Sequence, residues 1–140
     1  MMDDLLDKAF YISIAVYEGP QDESQEACAA HSMRVAYNCE TKEQKIVALL
    51  YDTIKKAAID PECLISEGFP SFIIDAILSI TQQNEESYSE FIFRAKQNPI
   101  GRRVKINDIL DQMNLVKLET ITEANIEKLH KHIEALHVLI

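Results

Sequence analysis

Residues Ile46–Ala58 read IVALLYDTIKKAA, an apolar run that one carboxylate, Asp52, interrupts just before the paired lysines Lys55 and Lys56. Apolar side chains recur there at the three- and four-residue steps of an α-helix, and their density predicts a helix set into a core. An acid in such a place must be paired, protonated or bound to a cation, because an unpaired charge away from water is prohibitively expensive. The run around Asp52 therefore decides the fold, and the role of Asp52 decides the function.

Helical periodicity extends from this run in both directions. Thr41-Lys42-Glu43-Gln44 is a capping-box pattern that opens the Asp52 helix. Upstream, a helix is predicted over Asp3–Tyr17, where Leu6, Ala9, Phe10, Ile12, Ile14 and Val16 are too densely apolar for a surface element and predict burial. The polar stretch Glu18–Glu26, with Gly19 and Pro20, reads as a loop, and a second helix follows over Ala27–Asn38. Downstream, Asp60-Pro61 starts a short helix that Gly68 ends. Pro70 stands at the first position of a helix reaching Thr81, and the polar QQNEES leads to another over Tyr88–Gln97. Asn98-Pro99 opens a helix to Met113, and Thr122 opens the last, to Leu139. Strand-like alternation is confined to a few residues, so the class is all-α: a compact single-domain bundle over residues 1–140, with about seven or eight helices and no internal repeat or linker.

Composition narrows the function classes. A chain of 140 residues with 47% hydrophobic content buries a real core. Its 23 acidic and 14 basic residues give a net charge of -9, which repels polyphosphate backbones and argues against nucleic-acid binding, while a small anion in a local pocket stays allowed. Cys28, Cys39 and Cys63 are odd in number and lack C-x-x-C spacing, which fits small buried hydrophobes in a reducing cytosol rather than a disulfide framework or zinc ribbon. The apolar run Phe69–Ile80 is broken by Pro70, Ser71 and Asp75, and the start, MMDDLLDK, is acidic where a signal peptide is basic. A cytoplasmic protein with no membrane segment is expected.

Few residues suggest chemistry. His31 opens HSMRVAYN, with Ala27, Met33 and Val35 around it, and its ordinary reading is a core histidine satisfied by a backbone carbonyl. Asp108, in VKINDILDQM, is a second acid embedded in an apolar helix. One such acid is usually capped or paired, but two acids and a histidine on separate buried helices point to a cation-binding cluster. His130, His132 and His137 include no i, i+4 pair of the kind a helical zinc site prefers, and surface or groove positions are expected. Tyr88, Phe91 and Phe93 read as core and cap aromatics rather than a base-stacking platform.

The order His31, Tyr51-Asp52, Asp108 resembles the H…HD…D signature of the HD-domain metal-dependent phosphohydrolases, in the small stand-alone branch related to RelA/SpoT-type alarmone hydrolases. AVYEGPQDESQEACAAHSMRVA resembles a family segment reading approximately AxxxHxGQxDKxGxPYxxHPxRVA, and IVALLYDTIKKAAI resembles AALLHDxxEDT. GFPSFIIDAILSIT is similar to GFPxxIxxAVxxLT. SYSEFIFRAKQNPIGRRVKINDILDQMNLVKL and EKLHKHIEAL are similar to YxxYIxRxxxNxxAxxVKLADLxDNxDLxRL and KYxxAL. The likeness runs from about Asp3 to Leu139 and implies a bundle of the HD-domain type.

For the site, the resemblance implies one divalent ion, typically manganese, held by two histidines and two aspartates. His31, Asp52 and Asp108 match three of these positions, and Tyr51 stands at the second histidine. A phenol with a pKa near 10 is a poor ligand at neutral pH, which leaves a weak or vestigial metal site or none. The family's Glu-Asp pair, which handles the attacking water, is replaced by Lys55 and Lys56, ammonium groups that cannot act as bases while protonated. At other family positions stand Tyr17 for a histidine, Pro20 for a glutamine, Gln25 for a glycine, Ser32 for a proline, Gln112 for an asparagine and Lys117 for an arginine. Arg34, Arg94 and Lys105 are retained, with Arg34 and Lys105 as candidate ligand-binding residues. On helical spacing, Lys55 or Lys56 is expected beside Asp52 as an internal cation.

The leading expectation is a catalytically impaired HD-domain scaffold that binds a nucleotide, such as an alarmone, or a protein partner. The alternatives are a working phosphohydrolase with a three-residue metal site and a protein-interaction module that forms homo-oligomers.

Overall fold

The computed structural model describes residues 1–16, 23–57, 59–114, 118 and 120–140, the side chains at 23–29, 56 and 57 excepted. Eight α-helices and no strand occur among the described residues: α1 (Met2–Val16), α2 (Glu23–Tyr37), α3 (Lys42–Ala57), α4 (Pro61–Ser66), α5 (Ser71–Ser79), α6 (Tyr88–Lys96), α7 (Pro99–Gln112) and α8 (Glu123–Leu139). The all-α expectation holds, and the helices form a bundle around α3. No helix of the described residues is long and apolar enough to cross a membrane.

Local chemistry sets most helix ends. Gln44 N donates to Thr41 Oγ1 at 3.1 Å and Thr41 N returns to Gln44 Oε1 at 3.4 Å, the reciprocal box read from the sequence. Asp60, Ser87 and Asn98 each accept from a backbone N–H of the first turn of α4, α6 and α7, and Thr122 with Asn125 forms a second capping box on α8. Gly68 ends α4 at φ 100°, while Phe69 N reaches Leu64 O at 3.1 Å and Gly68 N reaches Ile65 O at 3.0 Å. This is a Schellman closure, which needs a residue at ease in the left-handed region. Pro70 is the N-cap of α5 rather than its first helical residue, since its ψ of 157° is extended. The predicted loop over Glu18–Glu26 runs too long, because α2 starts at Glu23.

α3 is buried on nearly every side. Ile46 to Tyr51 are six successive buried residues, and α1, α2, α5 and α7 pack around them. Each fully buried aliphatic side chain contributes about 1.5–3 kcal/mol, so this helix anchors the core. α7 crosses α5 closely at Gly101, where an added Cβ would lie 2.0 Å from Ser79 Oγ and 3.2 Å from Ala76 O. That contact brings the Lys105–Asp108 turn of α7 against α3.

α1 departs from expectation. Only Ala9 and Ser13 are buried along it, and Tyr11 is 70% exposed. One stripe packs on α3, and hydrophobicity all round a helix does not by itself provide a second covering layer. Phe93 is likewise exposed, as is Cys63, whereas Phe91 and Cys39 are buried as expected.

Candidate functional site

Three helices carry the central cluster, α2 and α7 with polar residues at one-turn spacing and α3 with two adjacent ones. α2 contributes His31 and Arg34, α3 contributes Tyr51 and Asp52, and α7 contributes Lys105, Asp108, Asp111 and Gln112. The structure thus gathers His31, Tyr51, Asp52, Lys105 and Asp108 at one place, as the sequence suggested.

Asp108 is the hub. Its Oδ1 accepts from the Tyr51 hydroxyl at 2.6 Å, from His31 Nε2 at 2.7 Å and from Gln112 Nε2 at 2.9 Å, while Oδ2 accepts from Lys105 Nζ at 2.8 Å. Each carboxylate oxygen has about two lone-pair directions, so Oδ1, with three donors, is fully subscribed, while Oδ2 meets Lys105. Burial alone would raise its pKa, but the His31 hydrogen bond, the Lys105 charge and the Tyr51 hydroxyl hold it well below the ordinary carboxylate range. Asp108 is an anion neutralised by the chain itself.

His31 is satisfied by two carboxylates rather than the backbone carbonyl expected. Its Nδ1 lies 2.5 Å from Asp111 Oδ2 and its Nε2 faces Asp108, so only the doubly protonated ring donates to both. Burial lowers the imidazole pKa, yet the hydrogen bonds and charges of Asp108 and Asp111 outweigh it and raise the value. Arg34 closes the chain of charges, with Nε 2.7 Å from Asp111 Oδ1 and Nη2 3.0 Å from Asp111 Oδ2. Burial opposes ionisation of Asp111, but Arg34 and His31 lower its pKa overall. Arg34 is therefore occupied with an internal carboxylate, and the sequence reading missed Asp111. The usable signal was spacing: His31 and Arg34 stand three apart on α2, as Asp108 and Asp111 do on α7.

Of the two lysines expected beside Asp52, Lys55 alone has a described side chain. No ion pair joins Asp52 to Lys55; the carboxylate accepts from Ser32 Oγ at 3.3 Å, and Lys55 is exposed at the pocket edge. Helical spacing permits the pair, but a long lysine keeps its ammonium in water by extending outward. Burial and the neighbouring Asp108 charge raise the Asp52 pKa, against weaker opposition from His31, Ser32 and Lys55. The Lys56 side chain lies outside the described residues, as do those of Gln25 and Cys28 and the whole of Tyr17, Pro20 and Lys117.

These contacts bear on the divalent ion that the resemblance implies. Both ring nitrogens of His31 face carboxylates, both oxygens of Asp108 are engaged, and Tyr51 offers a protonated phenol that itself donates to Asp108. Among the described residues no group of three His, Cys, Asp or Glu is set to hold a metal. As arranged, the donors do not fit the ion.

Beside the cluster opens a pocket of about 530 Å³, within the range that holds small-molecule ligands. His31, Tyr51, Asp52, Lys105 and Asp108 line it, together with Tyr88 and Phe91 of α6 and Lys128, Lys131 and His132 of α8. Ile80, Thr81 and Gln82 complete it, on a segment that Arg94 fixes by binding Leu78 O at 2.7 Å, Thr81 O at 2.8 Å and the Glu86 carboxylate at 2.8 Å. Glu86 is accordingly held down at about 2, chiefly by Arg94. Arg94 is a strut rather than a ligand. His132 sits in the groove, as allowed from sequence, yet it is buried, while His130 and His137 are exposed. Burial and the charges of Lys128 and Lys105 lower its pKa.

Scanned against protein-family models the sequence finds no match, and no curated protein matches it.

Proposed function

We propose that this chain is a catalytically impaired relative of the HD-domain phosphohydrolases that binds a nucleotide, or a similar phosphorylated small molecule, without hydrolysing it. One observation carries the reading: Asp108, at the position of a family metal ligand, is held by four internal donors, Tyr51, His31 and Gln112 on one oxygen and the Lys105 ammonium on the other. Tyr51 at the second histidine and Lys55 at a family acid position support the same conclusion, because neither supplies a ligand or a base at neutral pH. The pocket supports ligand binding, since it sets four lysines against two carboxylates in a protein of net charge -9. A local reversal of sign against the field of the whole molecule favours an anionic ligand.

The test is to measure the metal content of the purified protein, its turnover of guanosine tetraphosphate and common nucleotides with added manganese, and their equilibrium binding with a chelator present. The expected result is binding in chelator and no turnover. Manganese-dependent release of pyrophosphate that disappears in Asp52→Ala would overturn the reading in favour of an active three-ligand hydrolase. Absence of nucleotide binding together with tight self-association would favour an oligomerising module instead.

A further inference from the structure

We propose that Lys128 and Lys131 of α8, with Lys55 of α3, form a subsite for the phosphate or diphosphate group of the ligand, in the pocket that the His31–Asp108 cluster also lines. The inference deepens the reading of a phosphorylated ligand and rests on it for the rest of the molecule bound.

Charge is distributed unevenly within the pocket. Lys105 is committed to Asp108 at 2.8 Å, and His31 and Arg34 are committed to Asp108 and Asp111. Asp108 and Asp111 are thereby matched by cations within the cluster, whereas Asp52 accepts from the Ser32 hydroxyl. Among the described residues Lys55, Lys128 and Lys131 make no ion pair, Lys55 acting on Asp52 only through its charge, although acids outnumber bases across the chain. Three unmatched ammonium groups around one concavity repel one another, and an anion placed among them relieves that repulsion.

The placement is specific. Lys128 and Lys131 lie three apart on α8 and so share the face that looks into the pocket, with His132 beside them. Lys131 Nζ rests 3.8 Å from the centroid of the Tyr88 ring, another pocket residue, which holds the ammonium beside the pocket. A cation–π contact of this kind is weaker than a charge-assisted hydrogen bond to phosphate, so an incoming anion can draw the ammonium from the ring. His132, kept toward its neutral form, adds an uncharged imidazole at the same edge. The carboxylates of Asp52 and Asp108 repel phosphate oxygens, which favours the lysines of α8 over the family's catalytic position.

Inorganic pyrophosphate is the probe, titrated calorimetrically into the full chain with EDTA present. Binding should weaken by about tenfold or more in Lys128→Gln/Lys131→Gln, as expected when charge-assisted contacts are lost, while Lys128→Arg/Lys131→Arg retains it. Lys96→Gln, on α6 and outside the pocket, serves as the control for net charge. No pyrophosphate binding by the native chain, or equal affinity in the glutamine variant, overturns the subsite. If pyrophosphate binds through these lysines while no nucleotide binds, the subsite stands and the nucleotide reading falls. If nucleotides bind the glutamine variant undiminished, the nucleotide reading stands and the subsite falls.

Discussion

Lys105 Nζ lies 2.8 Å from Asp108 Oδ2, one turn away on the same helix, with both side chains almost completely buried and the ammonium 5.1 Å from the Phe91 ring centroid. Removing one partner of a buried pair leaves the other charge without compensation, at a cost of about 3–5 kcal/mol. His31 remains beside Asp108, which places Lys105→Met at the lower end, about 3 kcal/mol. Lys55→Met, at an exposed position, should stay within about 0.5 kcal/mol. Urea denaturation of the two variants measures the difference, and equal stabilities would remove Lys105 from the buried network.

Tyr51→Phe deletes only the hydroxyl that donates to Asp108 at 2.6 Å. A hydrogen bond to a charged group contributes about 1.5–3 kcal/mol, and with three other donors left on Asp108 the loss should be near 1.5 kcal/mol. Thermal or chemical denaturation checks this. A stability unchanged from the native chain would mean that Tyr51 only fills space.

The sequence and structure agree where short-range chemistry dominates. Thr41 with Gln44, Gly68, Asn98 and Thr122 mark helix ends through hydrogen bonds to neighbours a turn away, and such bonds are visible in residue order alone. Burial was harder to read. α1 is apolar on most sides, but whether Phe10 and Tyr11 are covered depends on layers that periodicity does not specify. The candidate site was legible as a set of residues but not as a set of partners. Asp52 and Lys55 had the right spacing for a pair, yet the lysine serves solvent and the buried cation went to Asp108 through Lys105. Asp111 lacked an apolar setting to make it conspicuous, and it became central only once α2 lay against α7.

Stability should peak in mildly acidic solution. The His31 pKa is raised above its ordinary 6.5 in the fold, so its contribution is complete below that value and is lost as pH climbs through the folded-state pKa. Asp108 and Asp111 are lowered from 3.8, so theirs is complete above that value and is lost as pH falls through the folded-state values. Melting temperature is therefore expected to decline from about pH 6.5 upward, and the decline should flatten in His31→Gln. An unchanged alkaline slope in that variant would assign the effect to another group.

Asp52 should behave in the opposite sense to Asp108. Its pKa is raised from 3.8 by burial and by the Asp108 charge, so the folded state loses stability as pH rises from 3.8 through the Asp52 titration. Asp52→Asn keeps the shape, can still accept from Ser32 Oγ and removes the charge. At pH 7 it is expected to stabilise the protein by up to about 1 kcal/mol, whereas Asp108→Asn destabilises it by about 2–3 kcal/mol through loss of charged hydrogen bonds. Paired denaturation curves at pH 7 and pH 4 test both signs, because the gain from Asp52→Asn should shrink at the lower pH. An acid kept where its charge weakens the fold, and facing a pocket, fits a residue retained for binding rather than for architecture. A destabilised Asp52→Asn at neutral pH would show instead that Asp52 is part of the structural charge network.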